Sequence, residues 1–333
     1  MTLTAQTNTT LECIAKTIEA HDSFVICGHV SPDGDCIGSQ LALMHALRAK
    51  GKKVDCLLVK NDPLPADLDF MPGCDEMIAA SAYESSPHVF VGVDVPSRER
   101  LGMHAAAILD RCATSITIDH HACDRTMCEM VYVDPDSPSA SILVWQLVKM
   151  LCQQPPAESA LCAYAGLLSD TGGFRFQNST PEAFEVASEL VSYGVDPAEI
   201  ASKVYQSRTM ASLKLEALVI ERIVTGSDGD FVLSWLSKED FSKCGAQNGD
   251  AEYMIDTLRS LKGVRVACML REQDSSVRGS LRAKDSTDVQ QLAVSLGGGG
   301  HKAAAGFTLQ CSLEDAVNLM TAKLEGLVSH QAE

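Results

Sequence analysis

Three apolar runs in this chain stop at the same kind of residue, and that recurrence constrains the fold more than any other feature of the sequence. Phe24 to Gly28 breaks at His29-Val-Ser-Pro-Asp33-Gly-Asp35, Val89 to Val93 ends in Asp94, and Ser115 to Ile118 runs into Asp119-His120-His121. Short β-branched runs bounded by turn residues read as strands. Helical patterns lie between them: GSQLALMHALRAKG closes at Gly51, and SASILVWQLVKML follows a further strand-like run, Met130 to Val133. Strand alternating with helix predicts an α/β fold with a doubly wound parallel sheet. In such sheets the loops beyond the carboxyl ends of the strands converge on one crevice, so these acids and imidazoles are expected to meet there. A fourth acid, Asp170, closes the helical run ALCAYAGLLSD just before the helix-breaking TGGFRF.

A chain of 333 residues has room for two domains. Pro181 to about Arg222 is helical and charged in pattern, which predicts a semi-rigid connector. FVLSWL, VRVACMLRE, SVRGSLRA and AGFTLQ then alternate with helical segments, predicting a smaller α+β domain. The expected boundaries are 1–190 for the first domain, 191–215 for the helical linker and 216–333 for the second domain.

Charge narrows the ligand. The net charge of −17 excludes a broad basic surface for long nucleic acid, and aromatic residues at 5% are too few for the stacking platforms of a processive exonuclease. Small anions remain, provided that cations neutralise the acids near the site. Thirteen cysteines without a C-x-x-C pair suggest neither a disulfide framework nor a zinc knuckle and fit a reducing cytoplasm. No signal peptide or membrane-length apolar run is apparent, so no membrane partner is expected. Nothing specifies an oligomer.

Asp94 or Asp170 alone reads as readily as a loop-capping residue as a ligand, and Asp33 and Asp35 could cap a helix from Ile37. Capping needs one acceptor, however, and two acids beside His29 would repel one another without a cation. The set therefore points to two hard or borderline divalent cations. In the second domain, GGGGHKAAAGF at 297–307 can present the amides of its four glycines, Gly298, Gly299 and Gly300 among them, as an anion-binding nest, with His301 and Lys302 adding donors. Arg278 and Arg282 alternate on one face of SVRGSLRA, aimed at the same ligand or, on an edge strand, simply solvated.

The ordered motifs HVSPDGDCIGS, VGVD, DHH, LLSDTGGF and GGGGHKAAAG resemble those of the DHH phosphoesterases that carry a DHH-associated C-terminal domain, over nearly the whole chain. Length and layout are similar to the branch that degrades very short RNA and removes the 3′-phosphate of adenosine 3′,5′-bisphosphate (pAp). The resemblance implies one cation, manganese with magnesium or cobalt as alternatives, on His29, Asp33 and Asp94, and a second on Asp35, Asp94, His120 and Asp170. Asp94 would bridge them, Asp119 would orient a histidine, and His121 would face the substrate phosphate. Arg282, His301 and the glycines would grip the nucleotide from across an interdomain cleft. The family often has Ser-x-Arg-Ser where this chain has Ser280-Leu-Arg282-Ala283, so one hydroxyl is missing. The rivals are a pyrophosphatase or polyphosphatase, a hydrolase of the linear dinucleotide pApA, and a nucleotide-binding regulator with a silent metal centre. The last should have lost ligands, and every expected one is present.

Overall fold

Alternation along β1 (Ser23–Cys27) sends Phe24 and Ile26 into one apolar core and Val25 and Cys27 into another, so the strand is buried on both faces. That is the signature of a parallel sheet covered by helices on each side. The computed structural model describes residues 6–62, 64, 67–122, 126–226 and 228–329. The chain divides into two units, Met1–Ser207 and Arg208–Glu333.

In the first unit β1 is joined by β2 (Lys53–Leu58), β3 (Ile78–Ala79), β4 (Val89–Val93), β5 (Thr114–Asp119) and β6 (Met130–Val133). The six strands run parallel in the order β3-β2-β1-β4-β5-β6. The chain reverses its winding between β1 and β4, which makes their carboxyl ends the place where loops splay apart and leave a crevice. The helices are α1 (Leu11–Glu19), α2 (Gly34–Ala49), α3 (Arg98–Leu101), α4 (Met103–Leu109), α5 (Ala140–Leu151), α6 (Ala157–Asp170), α7 (Pro181–Ser192) and α8 (Pro197–Tyr205). α2, α5 and α6 build one core, and α4 lies in the other.

The second unit opens with α9 (Met210–Glu221) and carries β7 (Val224–Thr225), β8 (Phe231–Leu236), α10 (Lys238–Cys244), α11 (Met254–Arg259), β9 (Val266–Glu272), β10 (Val277–Ala283), α12 (Val289–Ser295), β11 (Gly299–His301), β12 (Ala304–Leu309) and α13 (Leu313–Ser329). Its sheet, β11-β12-β10-β9-β8-β7, is antiparallel except for the β8–β9 pair. Ala316, Met320 and Leu324 of α13 pack on one face, and Leu215 and Val219 of α9 pack on the other.

Two expectations change here. β10 is paired on both sides, so Arg278 and Arg282 stand on an interior strand rather than an edge. The glycine run is also not a four-amide nest. The N–H groups of Gly297 and Gly298 donate to the carbonyls of Val294 and Ala293, terminating α12, while Gly299 and Gly300 pair with Gly306 and Ala305 across a hairpin. Among the described residues, no helix is long and apolar enough to cross a membrane.

Candidate metal centre

α2 begins at Gly34, three residues before the expected Ile37, and this shift separates two acids that look equivalent in the sequence. Asp33 becomes the N-cap, its Oδ1 accepting from the Cys36 amide at 3.0 Å, and its side chain stays exposed. Asp35 enters the first turn and is 1% exposed. Its Oδ2 accepts from the Ala140 amide at 2.7 Å and its Oδ1 from the Ser141 amide at 2.9 Å, with the Ser141 hydroxyl donating to Oδ1 as well. Asp35 thus sits on the positive end of α5 and ties that helix to α2.

Close helix approach brings Asp35 and Asp170 to one place. A Cβ on Gly38 would stand 2.4 Å from the Cys162 carbonyl oxygen, and one on Gly166 would stand 1.9 Å from Ser141 Oγ and 3.0 Å from Asp35 Oδ1. Any side chain at either position would push α2, α5 and α6 apart. Asp170 ends α6, where Asn178 Nδ2 donates to its carbonyl at 3.1 Å and its carboxylate at 3.3 Å. Asp94 follows β4 with φ of 52°, a left-handed conformation that aspartate tolerates better than most residues.

Asp94 lies at the centre. Its Oδ2 is 3.3 Å from His29 Nε2, and its Oδ1 is 3.5 Å from His120 Nε2 and 3.3 Å from His121 Nδ1. His120 Nε2 also faces Asp170 Oδ2 at 3.8 Å and Asp35 Oδ2 at 3.9 Å. The donors form three groups with ligand atoms within 4.8 Å of one another: His29, Cys36 and Asp94; Asp94, His120 and His121; Asp35, His120 and Asp170. Of the expected first set, the exposed Asp33 lies 3.7 Å from His29 Nε2, and the buried Cys36 adds a sulfur close to His29 and Asp94 that the sequence reading did not include. Cys36 Sγ accepts from the His29 amide at 3.3 Å, and burial pushes its thiol well above the usual range. That residue was missed because DGDC reads as a ligand loop followed by helix, with nothing to mark the cysteine.

Asp119, fully buried, is the hub of the DHH turn. Its Oδ1 accepts from the amides of His120 and His121 and from His121 Nδ1, at 2.8, 3.1 and 2.8 Å. The last bond sets His121 as the Nδ1–H tautomer when neutral. In the second unit Arg278 is exposed, and Arg282 Nη1 donates to the Leu281 carbonyl at 3.0 Å. Gly298 closes α12, Gly299 and Gly300 lie in β11, and the His301 side chain falls outside the described residues.

The electrostatics show a cluster that is short of positive charge. Burial lifts Asp35 well above the usual carboxylate range, with Asp94 and Asp170 pushing the same way. Burial also lifts Asp170, to about 6, against the pull of His120. Asp94 goes the other way: burial works against its charge, but the His120 and His29 imidazoles outweigh it and hold the carboxyl well below the usual range. Burial opposes the charge on His29 too, yet Asp33 and Asp94 raise it to about 10.

The donor set fits divalent cations. His29 Nδ1 and Asp94 Oδ1 are buried without a hydrogen-bond partner. The separations of 3.3–3.9 Å between imidazoles and carboxylates lie at or beyond the long end of hydrogen bonding and match the ~3.0–3.5 Å or slightly more between ligands of one small ion.

This fold and centre place the chain in a class that the comparisons identify: it belongs to the DHH family. The family's N-terminal domain matches residues 23–167, and a DHHA1 domain matches residues 231–329. The chain is 32% identical over 304 residues, 90% of its length and 88% of the relative's, to the bifunctional oligoribonuclease and PAP phosphatase NrnA of Thermus thermophilus. The crystal structure of an exopolyphosphatase-related protein from Bacteroides fragilis superposes with a TM-score of 0.89 at 30% identity, covering 97% of each chain. RecJ from Thermus thermophilus, solved in complex with Mn2+, shares the fold at a TM-score of 0.57 and 16% identity, covering 99% of this chain and 55% of RecJ.

Proposed function

We propose that the chain is a phosphoester hydrolase that cuts very short RNA to 5′-mononucleotides and removes the 3′-phosphate of pAp in the cytoplasm. Two divalent cations, manganese foremost, would be its cofactors. The observation that carries this reading is Asp94, one buried carboxylate shared by two donor groups whose imidazoles stand around it without satisfying it. NrnA of Thermus thermophilus supports the substrate class, and RecJ supports manganese.

His29, Asp33 and Asp94 would hold the first cation, with the Cys36 sulfur against the His29 amide, and Asp35, Asp94, His120 and Asp170 would hold the second. When bound, the pair supplies Lewis acidity and a water acidic enough to ionise at neutral pH. The chain's own residues do the rest. Asp119 holds His121 Nδ1–H, so the ring exchanges its proton with substrate at Nε2 and the carboxylate stabilises the imidazolium that forms. Asp35 carries α5 with it, keeping the second group in place. Arg278, Arg282 and His301, with Gly299 and Gly300 beside them, would measure the nucleotide, while the Gly298 amide is spent closing α12.

Mass spectrometry of products from an RNA pentamer, pAp and pyrophosphate, with manganese and again after chelation, tests the reading. Mononucleotides and AMP are expected with manganese and disappear on chelation. Cleavage of pyrophosphate alone would overturn the reading.

A further inference from the structure

Among the described residues, two other than glycine adopt a positive φ: Asp94 at 52° and Phe174 at 61°. The first lies at the heart of the centre. The second belongs to a left-handed turn, Gly172 at 58°, Gly173 at 69° and Phe174 at 61°, directly after Asp170. Holding a bulky side chain there costs roughly 1–2 kcal/mol. Strain of this kind collects where a side chain must be aimed.

The side chain aimed is Arg175. Its amide donates to the Thr171 carbonyl at 3.0 Å and its Nε to the Gly172 carbonyl at 2.5 Å, while its guanidinium lies 5.4 Å from the Tyr205 ring centroid. Tyr205 is itself anchored, its hydroxyl donating to the Leu168 carbonyl at 3.0 Å. Phe174 stacks on Phe184 with centroids 5.0 Å apart, bracing the turn from the other side. Asn178 folds the far end of the turn back onto Asp170 and Pro138.

An arginine held through Nε and one ring face keeps both Nη groups for a ligand, and Arg175 is exposed, with no acidic partner among the described residues. Three other cations of this unit, by contrast, are paired with acids: Arg48 with Glu76 at 2.7 Å, Lys50 with Glu19 at 2.8 Å and Lys149 with Glu189 at 2.8 Å. A rigid guanidinium fork matches a phosphate, which takes two parallel N–H bonds. We infer that Arg175 binds the phosphate of the substrate that is not cleaved, and so selects nucleotides carrying a phosphate beyond the scissile one. This rests on the proposed phosphoesterase reading.

The test compares pAp with adenosine 3′-monophosphate, which share the scissile group and differ by one phosphate. Kinetics with manganese are run beside calorimetric binding with calcium, for wild type, Arg175→Ala and Arg175→Lys. Charge-assisted bonds of this kind are worth about 10–100-fold. The preference for pAp in kcat/KM and in affinity is expected to fall by that factor in Arg175→Ala, through KM rather than kcat, with partial recovery in Arg175→Lys. A role confined to bracing the turn would lower both substrates equally and leave the ratio intact, and that result overturns the inference. A wild type that cleaves pAp, with a preference untouched by Arg175→Ala, sinks this inference and leaves the proposed function standing. A wild type that binds pAp selectively through Arg175 without cleaving it supports the inference and sinks the proposed function.

Discussion

Asp240 in the second unit and Asp35 and Asp94 in the first are buried carboxylates, with the half-buried Asp170 beside the latter pair, but their surroundings differ in kind. Asp240 is satisfied: Arg222 donates to both oxygens at 2.5 and 2.8 Å, and the Ser237 amide and hydroxyl donate at 2.7 and 2.8 Å. Led by Arg222, these partners hold it down to about 2. In the first unit Asp35 and Asp170 are pushed upward, and Asp94 Oδ1 and His29 Nδ1 have no hydrogen-bond partner. A carboxylate that serves the fold is paired within the protein. Asp35 and Asp170 have hydrogen-bond partners as well, but Asp94 at the centre is left with unmet demand, at a cost in stability that a bound ligand would repay.

The sharpest way to break this contrast is Asp94→Ala, which should lower kcat by about 10³-fold or more, with no rescue by added manganese. Retained turnover would show that the shared carboxylate is dispensable. Next in size is Gly166→Val, which forces Ser141 and Asp35 away from α6. It should lower the melting free energy by about 1–3 kcal/mol and weaken manganese binding measured by calorimetry. A variant that melts early yet binds manganese as tightly as wild type would separate helix packing from the centre.

Asp240→Ala sharpens the contrast from the other side. It should cost about 2–4 kcal/mol in denaturant unfolding while kcat stays at the wild-type value. The pH dependence has a definite sign. The folded-state value of Asp240 lies below its unfolded value, so its contribution is present above about pH 4 and disappears as pH falls through about 2. Acid unfolding of Asp240→Ala should therefore converge on that of wild type in this window. The smallest effect is expected from His301→Ala, which should raise KM for pAp by about tenfold and leave kcat within a few-fold if the proposed role of this residue is to bind rather than to react.

Much of the first unit is legible in the sequence because its strands are buried on both faces and announce themselves as apolar runs, and because the acids and imidazoles follow those runs directly. Helix α1 is harder to read, since only Leu11, Ile14 and Ile18 of its nine residues are buried and charged, polar and small residues fill the rest. The division of labour between Asp33 and Asp35 depends on a helix start three residues early, a shift too small for periodicity to resolve. Docking of Asp35 onto the start of α5 joins residues more than a hundred positions apart and leaves no local trace. The run at 297–300 suggests a flexible nest by composition, yet pairing with β12 draws its second half into the sheet. Arg175 carries no motif of its own; only the left-handed turn around it shows that its direction is controlled.

Anomalous diffraction at the manganese edge, from crystals grown with the ion, is the most direct measurement. Two peaks beside β1, β4 and β5, with the Asp94 carboxylate touching both, are the predicted result. A single peak that Asp94 does not touch, or no peak among these side chains, would contradict the account.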